Sequence, residues 1–282
     1  MTGTRARARA RRTGISWKAL LAVAVAIPFA VPFIWLFASA FKPVDQFYAA
    51  PPTVFPNPPS LANLQGVLDL LDVPRLFANS TVIALVTAAA TVLVSSVVGF
   101  AFATLPARGS RILFGVLIAT ILIPPTVAIV PQFILFSRIG WVGTWLPLIV
   151  PSLFGNAFAI FLFRQWFRNL PANLFESAEL EGANPFQTFR HIALPLAWPV
   201  IAAVAVFAFV GSWNDFLGPL VYLRSPDTFT VSLGMATFQG VHVNDVHYSV
   251  AMALIALVPP IIVFVLAQRF LVRGIATGGA RG

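Results

Sequence analysis

Cysteine is absent from the 282 residues, acidic residues number nine and histidines three. Without Cys the chain has no disulfide and no thiolate metal site. Charged residues make up 10% of the chain against 59% hydrophobic, and the mean hydropathy is +0.88, far outside the soluble range. The apolar stretches show no alternation of period two, which argues against a β-barrel. No stretch carries a nucleophile with a His base, or a His and carboxylate cluster, so an intramembrane enzyme lacks its groups. His242 and His247 stand five apart, without helical metal spacing, and no metal site is expected. No Gly-x-x-x-x-Gly-Lys loop is present, so no nucleotide is bound here, no ATP hydrolysis is expected and no cofactor belongs to this chain.

What remains is apolar sequence in long uncharged runs, each able to cross a hydrocarbon core that needs about 20 residues. The chain reads as an all-α polytopic membrane protein. Six transmembrane helices are expected, at about 19–41, 77–104, 112–136, 145–167, 196–222 and 247–270. A basic tail, 1–18, precedes them and a second tail, 272–282, follows.

Basic residues resist translocation, so their positions predict orientation. With both termini in the cytoplasm, only Lys42, Arg75, Arg138 and Arg224 of the eighteen basic residues fall outside. The high isoelectric point then reflects topology, and nucleic acid is not needed as a partner. The arginines at 5–12 read as a topogenic tail against membrane lipid. Arg11-Arg12 imitates a twin-arginine signal and Ala38-Ser39-Ala40 a cleavage site. The apolar run between them is longer than a signal core, so an uncleaved first helix is expected.

Between the first two spans, the prolines at 51, 52, 56, 58 and 59 forbid a regular helix. Leu61, Leu64, Val67, Leu68 and Leu71 then have helical spacing, predicting a short helix at the surface or against the bundle. Ser80, Thr87, Thr91 and Ser95 lie near one face of the second span. Such a stripe favours close packing over a substrate path.

The segment 168–195 is polar amid apolar runs. Pro171 and Asn173 open a first helix with Glu176 and Glu179 in its early turns, and Gly182 ends it. Asn184 and Pro185 start a second helix carrying Phe186 and Phe189, which Pro195 stops. Within this helix-turn-helix stand Glu176-Ser177-Ala178, then Gly182, then Ile192, Leu194 and Pro195. That pattern resembles the EAA loop of permease subunits in binding-protein-dependent ABC importers: Glu-Ala-Ala, three residues, Gly, nine residues, Ile, one residue, Leu-Pro. Ser177 replaces an Ala, and Glu181 the Asp often found before the Gly. Gly211 to Leu220, Phe229 to Gly234, Phe238 to Gly240 and the tail from Arg273 look like the carbohydrate-uptake branch, whose subunits are similar to MalG of maltose import.

The resemblance implies a six-span type I ABC importer permease fold in the bacterial inner membrane. It also implies a second, MalF-like permease subunit, an ABC ATPase dimer holding ATP-Mg, and an extracytoplasmic sugar-binding protein. The ATPase-docking residues would be Glu176, Ser177, Ala178, Glu181, Gly182, Phe186, Ile192, Leu194 and Pro195. Asn79, Trp213, Asn214 and Asp215 are candidates for the substrate path, since an aromatic face beside polar groups suits a sugar and an intramembrane carboxylate is a functional candidate. A structural or gating role for Asp215 stays open beside that one. A secondary, ion-coupled transporter is the alternative, and it would show inverted repeats and midplane ion ligands.

Overall fold

The computed structural model describes residues 17–239 and 245–278, and His242 lies outside them. Its regular elements are helices. Four are long and apolar enough to cross a membrane, or six if each of two bent pairs is one span.

The first helix, α1 (Trp17–Ala40), is exposed along most of its length and contains Pro28 and Pro32. Only its end is covered: Ala38, Ser39 and Ala40 are buried, and Asn63 donates through Nδ2 to the carbonyls of Ala40 and Lys42 at 3.3 and 2.8 Å. Asn63 belongs to α2 (Ala62–Leu70), the helix expected from the leucine spacing, whose Val67 is fully buried against the bundle.

At the centre stands α3 (Val73–Thr104), four residues longer at its start than expected because Asp72 caps it, accepting from the Arg75 amide at 3.1 Å. It packs against the helices Ala157–Arg168 and Trp198–Trp213. The next run is not one continuous helix. It breaks into α4 (Ser110–Thr120) and α5 (Pro125–Arg138), bent by 96° where Pro124 and Pro125 cannot continue a helical ladder. After a turn at Leu146–Ile149 and a 3-10 segment, Asn156 caps α6 (Ala157–Arg168) by accepting from the Ala159 amide at 3.0 Å. Gly99 of α3 lets these helices touch: a Cβ there would stand 3.0 Å from the Arg164 nitrogen and 3.1 Å from the Ile160 oxygen.

The loop helices are α7 (Ala172–Leu180) and α8 (Pro185–Leu196). Pro195 does not stop the second one. A π-helical turn at Phe189–Ala193 widens the backbone just before it, the Leu194 amide reaching back to the Phe189 carbonyl, and the helix breaks at Ala197 instead. There it bends by 79° into α9 (Trp198–Trp213). The expected span 196–222 is therefore two helices, since α9 ends before Asn214 and α10 (Leu217–Tyr222) starts after a short non-helical link. α11 (Val231–Ala236), α12 (Val246–Ala256) and α13 (Val258–Gly278) complete the chain, the last running past the expected limit of 270.

Two apolar cores lie on α3. Near its start, Val73, Leu76 and Ala84 pack with Phe209, Trp213 and Met252; near its end, Phe100 packs with Phe163, Phe167, Phe189 and Ala193. From Asn79 to Phe100 an α-helix rises about 30 Å, the thickness of a hydrocarbon core.

Candidate functional site

Three features hang on α3, one at each end and one between. At its end sits the loop. Phe100 meets Phe189 of α8 at 5.2 Å between ring centroids, Phe167 of α6 at 5.6 Å and Phe175 of α7 at 6.3 Å. Ring pairs at these separations add roughly 0.5–1.5 kcal/mol each beyond area burial. Both loop helices thus share one aromatic pile with two spans. Trp166 donates from Nε1 to the Leu196 carbonyl at 3.2 Å, tying the 79° corner to α6 as well.

The outer face of the loop is shaped by local chemistry. Gly182 has φ of +80°, the left-handed conformation that glycine adopts without a Cβ penalty, and the Ala183 amide donates back to the Ala178 carbonyl at 2.9 Å. Asn184 then forms a capping box with Gln187, each side chain accepting from the other residue's amide at 2.9 and 2.8 Å. Of the expected docking residues, Glu176, Ser177, Glu181, Gly182, Phe186 and Pro195 are exposed, Ile192 and Leu194 are half-buried, and Ala178 is buried. The two helices therefore present a surface. Ala178, Phe175 and Phe189 fasten it from behind. One expectation needs correction: Glu176 lies just past the first turn of α7, but Glu179 sits in its last, where the helix dipole does not favour an anion. Leu180, 90% exposed, and Phe186, 66% exposed, add apolar area beside the glutamates.

Midway along α3 a cavity of about 760 Å³ opens. Thr87 and Thr91 of α3, Ser152 and Asn156 ahead of α6, and Ser212 and Asp215 at the end of α9 supply its polar groups. Phe158 and Phe207 line it from two helices, their centroids 6.2 Å apart. The Thr87 hydroxyl is buried without a hydrogen-bond partner among the described residues. Asp215 accepts through Oδ1 from the Gly218 amide at 3.1 Å. The hydroxyl stripe on α3 divides: Thr87 and Thr91 face the cavity, while Ser80 and Ser95 accept from the Val231 and Asn156 amides at 2.8 and 3.3 Å and serve packing.

At the start of α3, Asn79 donates from Nδ2 to the carbonyls of Asp227 and Phe229, both at 2.9 Å. Trp145 donates to the Thr228 carbonyl at 3.1 Å, and Arg75 forms an ion pair with Asp227. The segment 225–231 is clamped at this corner. Asn79 is not among the residues lining the cavity.

The four substrate-path candidates separate accordingly. Asp215 lines the large cavity; Trp213 and Asn214 line a smaller one with Val231, Ser232 and Met235; Asn79 is a clamp. Trp213 is 3% exposed and donates to the Ala256 carbonyl at 3.1 Å, which is a packing role. Sequence reasoning missed the aromatic pile under the loop and the pair Phe158 and Phe207. With 27 phenylalanines in the chain, no single Phe carries a signal. Ser95 and Thr91 were the available pointer to Asn156 and the cavity.

With this geometry stand the likenesses to known proteins. Arabinooligosaccharides transport system permease protein AraQ of Halalkalibacterium halodurans is 31% identical over 95% of this chain and 97% of its own length. The lactose transport system permease protein LacG of Rhizobium radiobacter is 30% identical over 86% and 88%, and the trehalose transport system permease protein SugB of Mycobacterium tuberculosis 30% over 89% and 92%. Among solved structures, a bacterial ABC transporter involved in the import of the acidic polysaccharide alginate contains a chain of the same fold, with a TM-score of 0.74, 20% identity and coverage of 89% of this chain and 94% of that one. A family model, binding-protein-dependent transport system inner membrane component, matches residues 6–277, which sets aside the ion-coupled alternative: the chain belongs to the binding-protein-dependent transport system inner membrane components.

Proposed function

We propose that this chain is a transmembrane subunit of an ATP-driven carbohydrate importer in a bacterial inner membrane, forming half of the pore and receiving its mechanical stroke at the loop 168–195. The observation that carries this reading is the attachment of that loop: Phe175 and Phe189 sit on Phe100 and Phe167, so a displacement of α7 and α8 moves α3 and α6 with it. Packed aromatic contacts resist shear, and a rigid body with two packings is the usual form of such a switch. The sugar in the names of the relatives supports the substrate class. The cavity between Thr87 and Asp215 offers hydroxyl, amide and carboxylate groups beside two rings, a lining suited to a polyhydroxylated solute.

In this reading both termini and the loop are cytoplasmic, and a homologous permease subunit closes the other half of the pore. Two ATP-binding-cassette subunits hold Mg-ATP and grip the exposed face of Glu176, Ser177, Glu181, Gly182 and Phe186. Ala178, Ile192, Leu194 and Pro195 hold that face in place. A sugar-binding protein docks at the opposite end, where 225–231 is clamped. Hydrolysis belongs to the ATPase, and this chain converts its closure into opening of α3, α6 and α9 around the cavity.

The test is purification with co-expressed partners and reconstitution in vesicles. ATPase activity is expected to rise when the binding protein is loaded with a neutral oligosaccharide, and that sugar to accumulate. Accumulation without ATP, or intact ATPase attachment and uptake with Glu176→Ala and Gly182→Val combined, would overturn the proposal.

A further inference from the structure

The cavity in the middle of the bundle carries one ionisable side chain. Asp215 is that group, and none of the described lining residues is Lys, Arg or His. Its carboxylate has no cationic partner among the described residues: the ion pairs found there join Arg75 to Asp72 and Asp227. Oδ1 takes an amide hydrogen from Gly218, and Gly218 lies so close that a Cβ at that position would strike Oδ2. The turn 215–218 therefore holds the carboxylate in one place at the cavity edge. The remaining polar groups, Thr87, Thr91, Ser152, Asn156 and Ser212, are neutral.

The geometry points to Asp215 as a charge filter in this wall of the pore, which passes neutral, hydroxyl-rich solutes and rejects anionic ones such as uronates and sugar phosphates. The inference rests on the reading of the cavity as solute path, and narrows its substrate class. A carboxylate only accepts hydrogen bonds, and a neutral sugar brings hydroxyl donors to it. An anionic sugar brings a like charge into a space with low-dielectric walls, where repulsion is far stronger than in bulk water. Phe158 and Phe207 offer apolar faces to the C–H side of a sugar ring and do nothing to offset a negative charge. The same fold occurs in the transporter involved in the import of alginate, an acidic polysaccharide. The fold by itself therefore does not set charge preference, and within the pore that leaves the lining residues to do so.

The chain's lack of cysteine makes the test direct. In the full complex, Ser212→Cys places a single thiol of this chain three residues from Asp215, and Ser152→Cys a second reporter across the same cavity. Each is treated with a trimethylammonium-bearing and a sulfonate-bearing methanethiosulfonate, and modification is followed by the mass of this chain. Any change in thiol ionisation affects both reagents alike, so the rate ratio isolates the charge effect. The cationic reagent is expected to be favoured at least about tenfold over its preference for a free thiol, as a like charge at short range in a partly dry cavity requires. Asp215→Asn should return the ratio to the free-thiol value. In vesicles, that variant should also raise uptake of a uronate oligosaccharide relative to its neutral counterpart. A free-thiol ratio at both reporters with Asp215 in place, or a ratio that Asp215→Asn leaves unchanged, would overturn the charge filter. Failure of the importer reading looks different: the ratio would respond to Asp215 while no carbohydrate accumulates with ATP.

Discussion

The Phe189 ring lies 5.2 Å from that of Phe100, joining a helix of the polar loop to the far end of the longest helix in the bundle. Both rings are buried, at 7% and 5% exposure. Removing one leaves a hole in a pile that includes Phe163 and Phe167, so Phe189→Ala should cost on the order of 3–5 kcal/mol. Thermal unfolding of the purified complex measures this. The more informative readout is the ratio of sugar moved to ATP hydrolysed, expected to fall in Phe189→Ala and to recover in Phe189→Leu, which refills most of the volume.

Gly182 separates two causes that are hard to distinguish elsewhere. No atom lies within 4 Å of the position its Cβ would occupy, so space does not limit a substitution there. The constraint is φ of +80°, where a β-branched residue loses roughly 1–2 kcal/mol. Gly182→Asn should therefore keep ATPase attachment and uptake, because Asn tolerates the left-handed region. Gly182→Val should lose both while the protein stays in the membrane. Equal behaviour of the two variants in a pull-down of the ATPase would contradict this account.

The loop was legible before the structure because its signals are local. A cap, a glycine and two prolines each act through backbone chemistry that sequence displays, and the Asn184 cap and the Gly182 turn appear where expected. Pro195 was misread for the same local reason: a proline removes one donor, and only the π-helical turn at Phe189–Ala193 shows how the backbone accommodates it. The bends of 96° and 79° fall at Pro124-Pro125 and at Ala197, two residues ahead of Pro199 in the first turn of α9, and hydropathy, which averages over a window, cannot see them. The cavity was half legible. Thr87, Thr91, Ser80 and Ser95 share a stripe, yet which of them face a void depends on α6 and α9, which lie far away in sequence.

Asn79 was a candidate for the solute path, and its amide is engaged at the corner that holds 225–231. Both donors of its amide are spent on the carbonyls of Asp227 and Phe229. Asn79→Ala leaves these acceptors without their partner, a cost of about 1–3 kcal/mol if they stay dry. The expected outcome is faster proteolysis of the 225–231 segment and a lower unfolding temperature. The sugar concentration giving half-maximal uptake, measured with saturating binding protein, should not change.

Gly99 tests whether α3 and α6 move as one body. Its Cβ position lies 3.0 Å from the Arg164 backbone nitrogen and 3.1 Å from the Ile160 carbonyl, closer than ordinary carbon contacts, and closest of all to Phe163. Backbone atoms of a packed helix cannot swing aside as a flexible side chain can. Gly99→Ala must push the two helices apart by a few tenths of an ångström, and Gly99→Leu by much more, at a cost of about 1–3 kcal/mol for overpacking of this kind. The separation falls one residue from Phe100, so it also loosens the aromatic pile. Gly99→Leu should then bind the ATPase normally, since the exposed face of α7 is untouched, while hydrolysis no longer drives uptake. Loss of ATPase binding together with uptake would place the fault in folding of the loop and refute transmission through α3. Unimpaired uptake would refute it as well, by showing that α3 and α6 need not stay in contact.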